Sequence, residues 1–235
     1  MLHLYHSNRM EILAAQLAAR LGEPVDDGWA PETLVVASNG MRRWLCLDLA
    51  DRLGICANLH FPLPSRLFWD IYRAVLPGVP TESAFATPIL AWRVLAEFGG
   101  LDDDPVWEPL RDYLAGSDDY GRYELARRIA DTFDQYLVYR PKWIKNWEKG
   151  GAAPGGKGRE EDEDDEDGDD CEGGWQAALW RRLSEVDATH RARLHRQFLK
   201  ALKQLHERPA GIPARLSFIG IPALPAAWLQ TLLGL

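Results

Sequence analysis

Two stretches decide the fold: LHLYHSNRMEILAAQLAARL (Leu2–Leu21) and TLVVASNGMRRWLCLDLADRL (Thr33–Leu53). Each reads as a short apolar strand, a polar loop built on Ser-Asn, and a helix with leucines along one face. His6, Ser7 and Asn8 form the first loop; Ser38, Asn39 and Gly40 form the second. A strand that passes into a helix through a tight polar loop is half of a βαβ unit. Parallel α/β sheets take their ligands at the carboxyl ends of such strands. A ligand is therefore expected at these two loops.

Working outward, Met10, Leu13, Leu17 and Leu21 follow helical spacing, and Gly22 and Pro24 stop that helix. Val25–Pro31 reads as a polar loop. Leu34 to Ala37 is apolar on both faces, as a buried parallel strand is, and the helix after it ends at Gly54. Ile55–Phe61 reads as a third short strand. Ser65 reads as the cap of a helix whose core face is Phe68, Ile71, Tyr72 and Val75. From there the period is helical: starts at Thr87-Pro88 and Asp104-Pro105, then a long helix from about Tyr120 to Tyr139. Arg140-Pro141 breaks it, and Trp143, Ile144 and Trp147 mark a short successor. After the glycine-flanked acidic run, Trp175–Leu183 and Arg191–Leu205 read as helices. LSFIGI (Leu216–Ile221) reads as a strand, and an apolar helix begins at Ala226 and is still running at Leu235, as in a fragment of something longer. The organisation expected is an α/β start over residues 1–80, a helical insertion over 81–208 and a return to the α/β part over 209–235.

The formal net charge of −8 misleads. Eleven acidic and two basic residues lie between Lys157 and Glu172, and without them the chain carries +1. Like charges that dense, with nothing apolar to bury, are expected to form a disordered surface loop over 151–174. The rest is close to neutral and has room for a local basic groove. The composition, 46% hydrophobic and 26% charged, is that of a globular domain. No apolar run approaches the roughly 18–20 residues of a membrane span. Three scattered cysteines fit a reducing compartment, and the expected location is the cytoplasm. Ten tryptophans serve chiefly as core, with a minority available as stacking platforms.

The first loop lies where a phosphate-binding loop would. Such a loop needs glycines for close backbone approach and a Lys with Ser/Thr for phosphate and magnesium. His6-Ser7-Asn8-Arg9 has neither glycine nor lysine, and LSFIGI ends in Gly220-Ile221-Pro222 rather than in a metal-holding carboxylate. ATP hydrolysis by this chain is not expected, and no cofactor is expected in it. The six histidines show no metal-binding pair, and Ser7 and Ser38 lack the glycines of a nucleophile elbow. Asp131 and Asp134 lie one helical turn apart beside Arg127 and Arg128, which reads first as a solvated ion-pair face.

Five segments resemble the gamma subunit of exodeoxyribonuclease V, the RecC family of the bacterial RecBCD complex. They are LYHSNRMEIL (Leu4–Leu13), SNGMRRWL (Ser38–Leu45), LGICANLHFPLPSRLFWD (Leu53–Asp70), DTFDQYLVYRPKWIKNWEKG (Asp131–Gly150) and FIGIPALPAAWLQTL (Phe218–Leu232). The resemblance spans this chain but only the amino-terminal portion of that larger subunit. It implies a helicase-like (RecA-like) parallel-sheet domain, catalytically inactive, with a large all-helical insertion. It further implies a subunit that guides and scans single-stranded DNA for a recombination hotspot. Its implied partners are duplex-end DNA, the motor-nuclease (beta) subunit and the helicase (alpha) subunit, which use ATP and Mg. Matched by motif, the implied DNA-binding residues are Asn39, Arg43, Leu63, Trp69, Asp131, Asp134, Arg140 and Arg191. At Ala37, Asn39 and Arg43 the sequence departs from enterobacterial members, which carry Gln, Thr and Gln, and Asp131 precedes Thr132 rather than Leu.

These residue types suit the task. Asn and Arg hydrogen-bond base edges or phosphate, Asp accepts from cytosine amino groups, and Trp69, one position off its helix's core face, is free to stack on a base. The competing expectation is a protein–protein scaffold that docks the motor subunit and touches no DNA, because aromatic residues are enriched at interfaces.

Overall fold

The structure is a computed structural model that describes residues 2–23, 25, 30–151, 174–205 and 207–235. The expectation for the acidic stretch falls on 152–173, outside the described residues, as do positions 26–29 of the Val25–Pro31 loop. The chain divides into two compact units: Met1–Gly78 with Phe198–Leu235, and Val79–Gln197.

The first unit is mixed α/β. A three-stranded parallel sheet has the order β2-β1-β3, with β1 Glu32–Val36, β2 Leu59–His60 and β3 Leu216–Ile219. In register, Thr33 faces both His60 and Leu216, and Val36 faces Ile219. β1 is the central strand, and Thr33, Leu34, Val35 and Val36 are all buried, which accounts for its unbroken apolar run. Helices α1 (Met10–Leu21) and α2 (Asn39–Leu53) supply Ala14, Leu17, Leu45 and Leu49 to the core around Leu34, Val36 and Ile219. Gly54 closes α2 in the left-handed region, φ 79°, where a side chain would be strained. Helix α3 (Pro64–Val75) stacks Phe68 on Trp228 of α10 (Ala226–Gly234), ring centroids 4.7 Å apart.

Several expectations need correction here. Residues 2–6 form no strand. Both edges of β1 are taken, Leu2 and Leu4 are exposed, and the Tyr5 hydroxyl accepts from Arg20 Nε and Nη2 at 3.0 and 2.9 Å. The segment is thus tied to the end of α1 instead of to a sheet. The Ile55–Phe61 strand shrinks to two residues because Asn58 turns left-handed, φ 56°, and donates its side-chain amide to the Ala30 carbonyl. Ser65 does not cap α3; Leu63 is the N-cap residue and Pro64 opens the helix, its missing N–H costing nothing there. The strand at Leu216 stops at Ile219, since Gly220 has φ 67°. Trp69 is buried, so α3 hides Leu67, Phe68, Trp69, Ile71 and Tyr72, a wider face than its periodicity indicates. Of the nine tryptophans among the described residues, only Trp92 is exposed, so most of this aromatic content is core.

The second unit is helical: α4 (Thr87–Glu97), α5 (Glu108–Ala115), α6 (Asp119–Tyr139), α7 (Pro141–Trp147), α8 (Gly174–Val186) and the first half of α9 (Arg191–Leu202). Its start signals are local chemistry: the Asp104 carboxylate accepts from Val106 N–H at 2.9 Å, and Asp118 accepts from Gly121 N–H at 2.8 Å. The core is aromatic. Trp180 lies edge-on to Phe133 at 5.3 Å and tilted against Phe85 at 5.1 Å, with Trp147 against Phe133 at 6.1 Å. Among the described residues no helix is long and apolar enough to cross a membrane.

Candidate nucleic-acid interface

In the first unit, the carboxyl end of β1 opens into an exposed run, Ala37 to Gly40. Ser38 has extended backbone, φ −158°, and its Oγ accepts from Met41 N–H at 3.2 Å, which fixes the start of α2. Asn39 and Arg43 project from this capped turn and are exposed. Arg42, which sequence reasoning passed over, holds its guanidinium over the Phe61 ring at 5.7 Å. That contact ties the α2 start to the segment leading to Leu63, which is 41% exposed at the head of α3. A tandem Arg pair beside an exposed loop was the available signal. The first Ser-Asn loop is different: Ser7 Oγ accepts from Arg9 N–H at 3.0 Å, and Arg9, the N-cap residue of α1, gives the helix no side-chain cap.

Gly220 lies between these helix starts. A Cβ built there meets the Met10 and Met41 methyl groups, each at 3.1 Å. The floor beneath the loops is therefore thioether and methyl, a surface with no charge for a phosphate. Asn39, Arg43 and the neighbouring Arg42 supply amide and guanidinium donors, suited to base edges or backbone oxygens. Trp69 does not join them. It is 5% exposed, so its ring is packed within the unit and is not a stacking platform. The stacking role expected of it is thereby corrected.

In the second unit, Asp134 and Arg191 meet: Arg191 Nη1 lies 3.4 Å from Asp134 Oδ1. Asp131 is exposed one turn earlier on α6. Arg140 occupies the break between α6 and α7, and its guanidinium lies over the Trp143 ring at 4.2 Å. The eight residues thus fall four to each unit, with Asn39, Arg43, Leu63 and Trp69 in the first and Asp131, Asp134, Arg140 and Arg191 in the second. Among the described residues no group of His, Cys, Asp or Glu is placed to hold a metal ion.

A further polar cluster was invisible in the sequence. His190, fully buried, sets Nε2 against Glu148 Oε1, while its Nδ1 accepts from Arg193 N–H at 3.3 Å at the head of α9. Glu148 Oε2 lies 3.4 Å from Arg196. Burial pushes the Glu148 carboxyl up, but the His190 hydrogen bond and the charges of Arg196 and Arg193 outweigh it and hold it below the usual 4.5. A carboxyl depressed in the folded state contributes stability above its unfolded value, and that contribution is lost as pH falls through the folded one. Glu148→Gln is therefore expected to lower the urea midpoint at pH 7, and the deficit is expected to shrink as pH falls from the usual carboxylate value of 4.5 through the lower folded one, vanishing only when the folded carboxyl is neutral too. A constant deficit from pH 7 to pH 3 would contradict this.

Compared with known proteins, residues 2–235 match the family model described as RecC, N-terminal domain. The chain is 37% identical over 241 residues to the RecBCD enzyme subunit RecC of Escherichia coli (strain K12), covering 99% of this chain and 20% of that protein. It is 36% identical to the RecC subunit of Haemophilus influenzae, over 97% of this chain and 22% of the relative. The RecC subunit of Mycolicibacterium smegmatis is 32% identical over 100% of this chain and 20% of its own length. The chain thus spans about a fifth of the length of these curated relatives. On this agreement over nearly its whole length, the chain belongs to the RecC family and corresponds to its N-terminal domain.

Proposed function

We propose that this chain is a DNA-contacting, non-hydrolysing part of a RecBCD-type exodeoxyribonuclease V, guiding and scanning single-stranded DNA for a recombination hotspot during double-strand break repair. The observation that carries this is the exposed run from Ala37 to Gly40, together with Arg43 near the start of α2. It stands at the carboxyl end of the central parallel strand and is capped by Ser38, and it offers amide and guanidinium donors over a floor of Met10 and Met41. On this reading the first unit is a helicase-like (RecA-like) domain without a phosphate grip, and the helical unit is its insertion. Motor-nuclease and helicase subunits in the cytoplasm supply ATP and magnesium chemistry and deliver the strand from a duplex end. Asp131, Asp134, Arg140 and Arg191 are its contacts in the helical unit.

The purified chain is expected to bind labelled oligothymidylate with an affinity that falls as salt rises, and to hydrolyse no ATP. N39A/R43A is expected to weaken binding about 10-fold, the scale of one lost bidentate contact. Magnesium-dependent ATP turnover abolished by Ser7→Ala, or binding indifferent to N39A/R43A, would overturn the reading.

One observation favours a second reading, a scaffold that docks the motor subunit. Trp92 is 63% exposed and lies tilted against Tyr123 at 5.3 Å, the kind of aromatic anchor that dominates interfaces. A crosslink from a DNA tail to Arg43 in the assembled complex decides for DNA contact; protection of Trp92 by the motor subunit with no such crosslink decides for the scaffold.

A further inference from the structure

Cys46 and Cys56 stand ten positions apart, a spacing that gives no sign of a pair, yet their thiols lie within hydrogen-bond reach of each other. The backbone explains how. Cys46 is in α2, and the helix carries the chain about 10 Å from it to Leu53. Gly54 then turns left-handed, φ 79°, and the three residues to Cys56 reach at most about 11 Å, just enough to bring it back. Cys56 accordingly packs on the same core as Met41, Trp44, Leu45 and Leu49 of α2, with Leu59 and Phe61 beyond it.

A cysteine that serves only packing is an inert, buried apolar group. Both thiols here are half-buried instead, within reach of a dissolved reagent. Among the described residues no group of His, Cys, Asp or Glu is placed to hold a metal ion, so no further ligand completes a metal site around the pair. The chemistry left to a half-exposed dithiol is thiol–disulfide exchange. Burial first, then the hydrogen bond with Cys46 and its charge, push the Cys56 thiol above its ordinary value of 9.0. The opening attack therefore falls to Cys46. Once Cys46 is in a mixed disulfide, its charge no longer opposes ionisation of Cys56.

We propose that Cys46 and Cys56 form a reversible disulfide in exchange with a small-molecule disulfide, stapling α2 to the segment that leads into β2. The Cys46 thiolate attacks one sulfur of the reagent and expels the other as a thiolate. Cys56 then attacks the Cys46 sulfur and expels the second, and the two cysteine protons pass to the two released thiolates. Two protein thiols are oxidised, and one reagent disulfide is reduced to two thiols. In a reducing compartment such a bond is transient and redox-sensing, not structural. It joins α2, whose start carries Asn39 and Arg43, to the segment running to Phe61, on which Arg42 rests. The pair goes beyond the DNA-contacting reading and does not depend on it.

The test incubates the full 235-residue chain, in a Cys171→Ser background that leaves only these two thiols, with a mixture of oxidised and reduced glutathione. Mass spectrometry is expected to find the chain lighter by two hydrogens, with Cys46 cross-linked to Cys56 and little glutathione adduct, and dithiothreitol is expected to reverse the change. The urea midpoint of the oxidised form is expected to rise by about 1 M, the scale of closing a loop of this length. Cys46→Ala is expected to show neither the cross-link nor the rise. Glutathione on both cysteines without the cross-link, thiols that stay reduced, or disulfides between chains overturn the pair. A cross-link that leaves the midpoint unchanged overturns the staple.

Discussion

Trp180→Ala is expected to destabilise the helical unit by about 3–5 kcal/mol, enough to unfold a marginal domain. Trp180 is fully buried, and three rings pack on it: Phe85 at 5.1 Å, Phe133 at 5.3 Å and His190 at 5.3 Å. Removing it loses the transfer energy of the largest side chain and leaves a cavity bounded by rigid aromatics that relax little. Trp180→Phe is expected to behave differently. The indole Nε1 is buried with no hydrogen-bond partner among the described residues, so phenylalanine removes an unsatisfied donor along with part of the ring. The gain of about 1–3 kcal/mol from losing that donor offsets most of the lost packing, and the phenylalanine variant is expected within about 1 kcal/mol of the parent. Urea midpoints followed by near-ultraviolet circular dichroism read both. A phenylalanine variant as unstable as the alanine one would show that the indole edge is satisfied in solution.

In the first unit the largest polar effect is expected at Arg215. Its guanidinium pairs with both oxygens of Glu32 at the start of β1, Nε to Oε2 at 3.0 Å, and donates to the Arg20 carbonyl at 2.7 Å and the Glu23 carbonyl at 3.2 Å. One side chain thus joins the end of α1, the head of the central strand and the approach to β3. Both partners keep about a fifth of their side chains exposed, so the penalty is less than for a fully buried pair. Arg215→Ala is expected to cost about 2–3 kcal/mol, mostly through the carboxylate and carbonyls left without a donor. If so, adding Glu32→Gln to Arg215→Ala recovers part of the loss. A double variant with the full sum of both single losses would show no coupling between the two side chains, and the loss would then come from the stranded carbonyls and lost packing instead of from Glu32.

The positions of the helix boundaries show which parts of the fold were legible. Gly54 ends α2, Thr87-Pro88 opens α4, and Arg140-Pro141 separates α6 from α7, as the sequence reads, while α2 begins at Asn39 and takes in two residues of the loop expected over Ser38, Asn39 and Gly40. Caps and prolines act within a few residues, so the information is local. Strands are not local. Leu2 to His6 has the alternation of a strand, yet a strand needs a partner elsewhere in the chain, and here Tyr5 is held by Arg20 near the end of α1 instead. Asn58 cut the third strand short through a single left-handed turn, a choice that asparagine permits but does not announce. Trp69 was misplaced because a 3.6-residue period assumes a narrow stripe. α3 is covered on a wider arc, and a large ring one position off the stripe is covered too.

The candidate site divides the same way. Asn39 lies in the loop that the strand–loop–helix pattern marks, whereas it is the family resemblance that assigns both it and Arg43 to DNA; both are exposed. The Asp134–Arg191 and Glu148–His190 pairs join residues from different helices, so nothing short of the fold displays them. Arg42 shows how fine the distinction is: adjacent to Arg43 in sequence, it turns onto Phe61 instead of into solvent alone.

The central claim is that a single strand of DNA runs over the loop at the carboxyl end of β1 without nucleotide chemistry there. The most direct measurement is photocrosslinking of an iodouridine-substituted single strand to the chain, with adducts mapped by mass spectrometry in the absence of ATP. The account predicts adducts within the Ala37 to Trp44 stretch that are lost in N39A/R43A. Adducts confined to other surfaces, or adducts in that stretch that appear only when ATP is present, would contradict it.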